Sequence, residues 1–520
     1  DNTAVGYQAG DAVTSGVRNT IMGMQAATGL STGQHNVMIG AYTGYQTTDL
    51  DGAVLIGYQA GYGGNMTSAA DGTVAIGFQA MNNLTTGQRN TGVGSGILYT
   101  NSSDGDDNTA MGYQAGFYNY KGSNNTHFGA YAGHYATGSK NTFIGSEAGK
   151  GGTTSAPFSS GINNTAVGRQ ALDAFTTGNN NTALGYGAAG ALTSGFNNVA
   201  IGVDVGAGMT DVDGTVLIGA NAGESINSSD ADGTVAIGYH AGKSITSGQM
   251  NTIIGYQAGD AMTTSDSNTI VGYEAGTSLI TSGEQGATLI GKEAGKALTT
   301  GPYNTVIGRG ALRTATTANS CIAIGDSAMQ YTPASTTITG VIAIGGSPLG
   351  DATGLSTTAN YSIAMGNGAG NNAGNLAGEF VIIGNYAGLK LNGTGVTHIG
   401  YEAGQYASGS NNTFVGGDAG KGGTTSAPFS SGPNNTAVGK EALTAFTTAE
   451  DNTALGMFAG RALTTGNSNT LLGNGAGDTM TATSNTVLIG LNAGTAINST
   501  DADGTVAIGR QALEDLTSGT

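Results

Sequence analysis

The feature that most constrains this chain is a short segment ending in glycine that recurs from one end to the other. It reads NTAVG (to Gly6), NTIMG (Gly23), NVMIG (Gly40), AVLIG (Gly57), TVAIG (Gly77), NTGVG (Gly94) and NTAMG (Gly112), and continues without a gap to TVAIG at Gly509. Twenty-eight intervals cover the 503 residues from Gly6 to Gly509, about 18 residues each. So short a period marks the coil of a solenoid rather than a domain. The sequence therefore predicts one continuous repeat region over 1–520, an all-β, left-handed parallel β-roll or β-solenoid of about 29 coils. At about 4.8 Å per coil it would be on the order of 140 Å long.

Alternate residues of a strand face opposite ways, so each segment has two faces. The residues just before the glycine (Val5, Met22, Ile39, Ile56, Ile76, Ile144), with Thr or Val two places earlier, read as one wall of a thin core. After the glycine comes a second segment such as YQAGDAV or FQAMNNL. It carries Ala at its third position (Ala9, Ala26, Ala60, Ala80, Ala171) and often a larger residue at its seventh (Val13, Leu30, Leu84, Phe175, Leu192). These read as a second strand, with the glycine at the corner adopting positive φ. The turn that follows (LTTG, LTSG, FTTG) leads to Asn four residues before the corner glycine in 17 of the 29 coils, a spacing that allows an Asn ladder along the axis.

On this reading the residue two before each glycine lies on the face away from the core. That row includes Ile21, Met38, Leu55, Phe143, Leu217, Ile253, Leu289 and Phe414, and only Gly92, His127 and His398 interrupt its apolar character. An apolar stripe of such length demands a cover. The expected cover is the same stripe on identical chains around a common axis, in a homotrimer either intertwined or side by side.

Composition narrows the function. A net charge of -18 leaves no basic stripe for phosphates, so nucleic acid is not an expected partner. No run of 18 apolar residues exists and the first residues are already repeat, so neither membrane insertion nor a signal peptide is expected in this segment. The single cysteine, Cys321, stands where most coils have Asn and reads as a partly buried structural thiol.

The segments VAIGFQA, DGTVAIG and NTAVGYQA resemble the head repeats of trimeric autotransporter adhesins, left-handed β-rolls that associate as homotrimers. The longer forms at 181–198 and 164–180 are similar still more to the repeats of phage and other viral tail fibres. The resemblance implies a non-enzymatic shaft on a virion or otherwise outside the cell, mediating host attachment. The alternative owner is a bacterial surface adhesin. Partners would be the chain itself and a host-surface glycan or protein, bound through a tip or loops. A copied block supports the shaft: corner glycines from Gly129 to Gly238 map at an offset of 271 onto Gly400 to Gly509, making 129–238 and 400–509 duplicates. Each coil touches only its neighbours, so whole coils can be copied.

Candidate chemistry is sparse. The pairs Asp49/Asp51, Asp211/Asp213, Asp230/Asp232 and Asp501/Asp503, each before a glycine, fit either a calcium loop lacking its distal Glu or plain Asx turns. His127 and His398 would meet their copies on the threefold axis, either as hydrogen-bonded rings or as holders of an axial ion. Otherwise no cofactor is expected. The five histidines have no nucleophile partner, so no catalytic residue is assigned; a polysaccharide-cleaving carboxylate pair built across chains is a lesser alternative. Receptor contacts are sought on irregular turns, at Tyr118, Tyr120, Phe158, Tyr303 and Phe429, with Lys121 and Pro157, Pro302 and Pro428 beside them, each of which also reads as a turn packed on the next coil. An ice-binding solenoid would need outward Thr rows, whereas Thr is expected inward or in turns.

Overall fold

The computed structural model describes residues 1–100, 105–152, 158–280, 282–284, 286–334, 336–351, 360–372, 378–426 and 429–518. The chain is an all-β parallel β-solenoid of about 28 turns. It divides into two compact units, residues 1–265 and 266–520. In the first, Thr20–Met22 pairs in parallel with Val37–Ile39, which pairs with Val54–Ile56. In the second, Thr288–Ile290 pairs in the same way with Thr305–Ile307. Like positions stack on like, at a usual offset of 17 residues that shrinks to 16 between Thr126 and Thr142 and stretches to 23 between Thr142 and Thr165.

Most coils carry one strand, not two. The segment after the corner glycine is a run of tight turns, with bonds such as Leu30 N–H to the Ala27 carbonyl (3.3 Å) inside the coil. Bonds between coils hold it in place, for example Gln25 N–H to Tyr7 O (2.7 Å) and Ala27 N–H to Thr43 O (2.8 Å). The reason is conformational. Arg18, Gln25 and Ala27 all have positive φ (61°, 53° and 50°), and each left-handed residue redirects the chain before a strand can extend. Among the described residues a second short pairing does occur in the second unit, Thr317–Asn319 against Thr337–Thr339.

The corner glycines are required twice over. Gly23 has φ +142°, and a Cβ there would lie 2.4 Å from the carbonyl oxygen of Gly40 in the next coil. The same close stacking runs Gly6 on Gly23 and Gly40 on Gly57.

The two faces of the strand are the reverse of the sequence expectation. In strand after strand the middle residue is buried and its two neighbours are not. The interior is thus built from the residue two before each glycine, packed against the expected Ala and Leu rows. Ala26, Ala60, Ala80 and Ala171 are fully buried, as are Leu30, Leu84 and Leu192, with Phe175 at 1%. Sizes are matched across this lumen. Ile21, Leu217 and Leu289 face a glycine four residues after a corner (Gly10, Gly223, Gly276), whose Cβ would come within 3.0 Å of them. In some coils whose strand offers only alanine, at Ala166, Ala343 and Ala437, that position holds Leu172, Leu349 and Leu443, all buried, whereas beside Ala200 and Ala236 it stays glycine (Gly206, Gly242) and Met209 and Ile245 come against it.

The Asn ladder forms as expected. Asn36 donates to Leu50 O (2.5 Å) and to Asn19 Oδ1 (3.1 Å), and its own Oδ1 accepts the Ala53 N–H (2.8 Å). A second polar row, six residues before the corner, works alike: Asp106 Oδ1 accepts from Gln88 N–H, and Ser123 Oγ from Asp106 N–H.

Candidate functional site

The proposed trimer-interface residues cannot meet a partner. Ile21, Met38, Leu55, Phe143, Leu217, Ile253, Leu289 and Phe414 are at most 1% exposed within the single chain. The lumen of their own coil is what covers them. The outward face is the one expected to be core. Its row just before the glycine holds only Val, Ile, Leu, Met or Phe in all 29 coils, and its row three before holds only Thr, Val or Ile. The first row runs from half-buried, as at Ile39 and Ile201, to exposed, as at Met22 (44%) and Leu184 (45%). The residue after the glycine often continues the stripe around the corner, as with Met24, Tyr58, Tyr186 and Val203 in the first unit and Tyr273 and Met457 in the second, all exposed. Thr therefore stands outward on the strand, contrary to expectation.

His127 and His398 likewise sit in the lumen and not on an axis between chains. Both are fully buried, and no ring nitrogen of either has a hydrogen-bond partner. His127 packs on Phe143 (5.5 Å between centroids) and His398 stacks on Phe414 (4.9 Å). The rows continue to Phe175 and Phe446. Glycine makes the room: a Cβ on Gly133 would sit 2.2 Å from His127 Nδ1, and one on Gly404 2.3 Å from His398 Nδ1. Burial alone pushes His127 down to about 4 and His398 to about 3, with no charged group contributing. The rings are neutral packing elements at ordinary pH.

The paired aspartates are engaged with backbone. Asp51 Oδ1 accepts from Gln34 N–H (2.7 Å), Asp213 Oδ1 from Phe196 N–H (2.8 Å), Asp232 Oδ1 from Asp213 N–H (2.7 Å) and Asp503 Oδ1 from Ser484 N–H (2.7 Å). Asp49 Oδ1 accepts from Ser68 N–H (3.1 Å) and Asp211 Oδ1 from the Thr210 hydroxyl (3.1 Å). Asp230 and Asp501 lie in one-turn 3-10 helices, Ser229–Ala231 and Thr500–Ala502, capped by Ser228 and Ser499. Burial first, then neighbouring carboxylates, pushes Asp213 upward, while its backbone bond pulls it down. Among the described residues no three His, Cys, Asp or Glu side chains gather as a metal would need.

The irregular turns of the first unit gather aromatic side chains. Tyr118 stacks on Phe158 (4.6 Å) and on Tyr135 (5.3 Å), and Tyr120 meets Phe158 edge-on (5.4 Å). Phe429, in the copied block, stacks on Tyr406 at 6.3 Å, and Tyr303 is 61% exposed. Pro157 and Pro428 lie outside the described residues. The sequence reading missed Tyr99, Phe117 and His134, which share one place, five residues after a corner glycine, and stack coil on coil (4.9 and 5.2 Å). That common offset was the available signal. Cys321 is fully buried; its N–H donates to Asn304 Oδ1 (2.9 Å) and burial pushes its thiol up. His35 pairs with Arg18, and His240 stacks on Tyr239.

No protein-family model matches the sequence, and no curated protein does. No helix among the described residues is long and apolar enough to cross a membrane.

Proposed function

We infer that the chain is a non-enzymatic shaft that associates with copies of itself, as a homotrimer, and serves in attachment to a host surface. The observation that carries this reading is the outward row of 29 apolar residues without a polar interruption, in a chain that is otherwise acidic. A single chain hides its other apolar rows in the lumen but leaves this one wet. Each side chain covered contributes up to about 1.5–3 kcal/mol, repeated coil after coil. A partner with the same axial repeat fits the successive coils of a unit at once, and another copy has it. The stripe turns the corner in many coils, as at Tyr58, Tyr186, Val203 and Tyr273, and there one copy presents two adjoining faces. Such a wedge suits a closed ring better than a flat pair. The repeat resemblance favours three copies, a viral tail fibre as owner, and an extracellular or virion location; a bacterial surface adhesin is the alternative owner.

Sedimentation equilibrium tests this. The wild type is expected at three times 51.1 kDa, about 153 kDa. A variant with Ile201→Asp and Val203→Asp, on either side of Gly202, is expected to shift toward the single-chain mass. A monomeric wild type would sink the reading. The outward Thr row supports a second reading, an ice-binding face, which requires that face to be bare. A monomer showing thermal hysteresis would establish it in place of the first.

A further inference from the structure

Two rows of aromatic rings run side by side over successive coils of the first unit. One row is Tyr99, Phe117 and His134, stacked at 4.9 and 5.2 Å with interplanar angles of 6° and 29°. The other is Tyr118, Tyr135 and Phe158, stacked at 4.6 to 6.0 Å and within 25° of parallel. All are half-buried except His134, which is buried, so the rings rest on one another and keep area open to solvent. At one end the rows give way to a polar hollow lined by Tyr131, His134, Tyr135, Glu147 and Lys150. Lys150 lies 3.7 Å from Glu147 Oε1, and Glu147 Oε2 accepts from the Gln170 side-chain amide (2.9 Å), which leaves each oxygen a further lone pair for a hydroxyl. In the coil beyond, Asp173 stands at the same distance from its corner glycine as Lys150, and its Oδ1 is buried without a hydrogen-bond partner.

Flat aromatic area beside fixed carboxylate and ammonium groups is the chemistry that holds a sugar ring. The ring's C–H face lies on the aromatic plane, and its hydroxyls donate to carboxylates and accept from the ammonium. Glu147 balances Lys150 in the lining, and Asp173 adds a carboxylate close enough to interact with both, so no net positive charge is offered to a sialic or uronic acid. We propose that this patch is a lateral binding site for a neutral glycan, with Tyr118 and Tyr135 as the stacking platform and Glu147 and Lys150 as the hydroxyl partners. The copied block supplies an internal control. It keeps Tyr406, Phe429 and Lys421 but has Asp418, Thr444, Glu402 and Gln405 in place of Glu147, Asp173, Tyr131 and His134, and no aromatic residue in 387–397. There Lys421 bonds both Glu402 and Asp418, so the ammonium is taken. The site occupies turn rows rather than strand rows, so it stands or falls separately from self-association.

The test is binding of the full chain to a panel of neutral oligosaccharides and their sialylated counterparts, followed by calorimetry with the best neutral one. Tyr118→Ala with Tyr135→Ala should weaken binding roughly tenfold or more, whereas Tyr406→Ala in the copy should change nothing. Glu147→Gln, which leaves the rings in place, should also weaken binding and decides the matter if the double alanine variant loses its fold. Absence of any neutral ligand, binding confined to sialylated sugars, or unchanged affinity in a folded platform variant or in Glu147→Gln would each overturn the proposal.

Discussion

At the scale of single residues, the lumen is where this chain is least forgiving. Gly133 has φ +61° and faces His127, so Gly133→Ala adds both backbone strain and a clash. A loss of about 3 kcal/mol or more is expected in chemical denaturation, and His127→Ala in the same chain should recover part of it. The two buried imidazoles tie stability to pH. Their folded values, about 4 and about 3, lie below the ordinary 6.5, so the unfolded chain binds more protons as pH falls. Their contribution is full above about pH 6.5 and is lost progressively toward pH 4 and 3, by up to about 3 and 5 kcal/mol. His127→Leu with His398→Leu should flatten the difference between the pH 7 and pH 4 denaturation midpoints; identical profiles for wild type and variant would refute the assignment. Asn181 donates to Gly195 O and accepts the Asn198 N–H, both buried. Asn181→Ala should therefore cost about 2–4 kcal/mol by the same measurement.

At the scale of the strand and its turns, the sequence disclosed the coil but not which way its faces point. The period, the corner glycines, the Ala and Leu rows and the Asn ladder were all legible, because each depends on one residue type at one place. The faces were not, because a three-residue strand such as Thr-Ile-Met at 20–22 is apolar or β-branched on both sides, and alternation decides nothing when neither side is charged. The deciding signal was the matching of sizes across the lumen. Phe143, Leu217 and Leu289 coincide with glycine four residues beyond the corner of their own coil, whereas Ala166, Ala343 and Ala437 coincide with leucine. The second strand was misread for a related reason. Gln25 and Ala27 give no hint in isolation of positive φ, although glycine at the equivalent of Ala27 in many coils marks that position as a turn. Tyr118 and Phe158 were legible as aromatics on irregular turns, but their gathering with Tyr99, Phe117, His134 and Tyr135 was not, because these residues come from four coils and meet only through the stacking register.

At the scale of the molecule, each coil's bonds run to its neighbours, so coils are interchangeable modules. Thr165, Thr182 and Val199 occupy one register position in three successive coils. Deleting residues 182–198 should then let Thr165 pair with Val199 and leave a folded protein melting within a few degrees of wild type; deleting half as many residues should not. The outward stripe is the one module property that a single chain leaves unsatisfied, and self-association through it is the centre of this account. Site-directed cross-linking reads it directly. In a Cys321→Ser background, Leu184→Cys on the stripe should form an interchain disulfide on mild oxidation, while Thr177→Cys, on the exposed turn that leads into the same strand, should not. Efficient cross-linking from residue 177 with none from residue 184 would contradict the account.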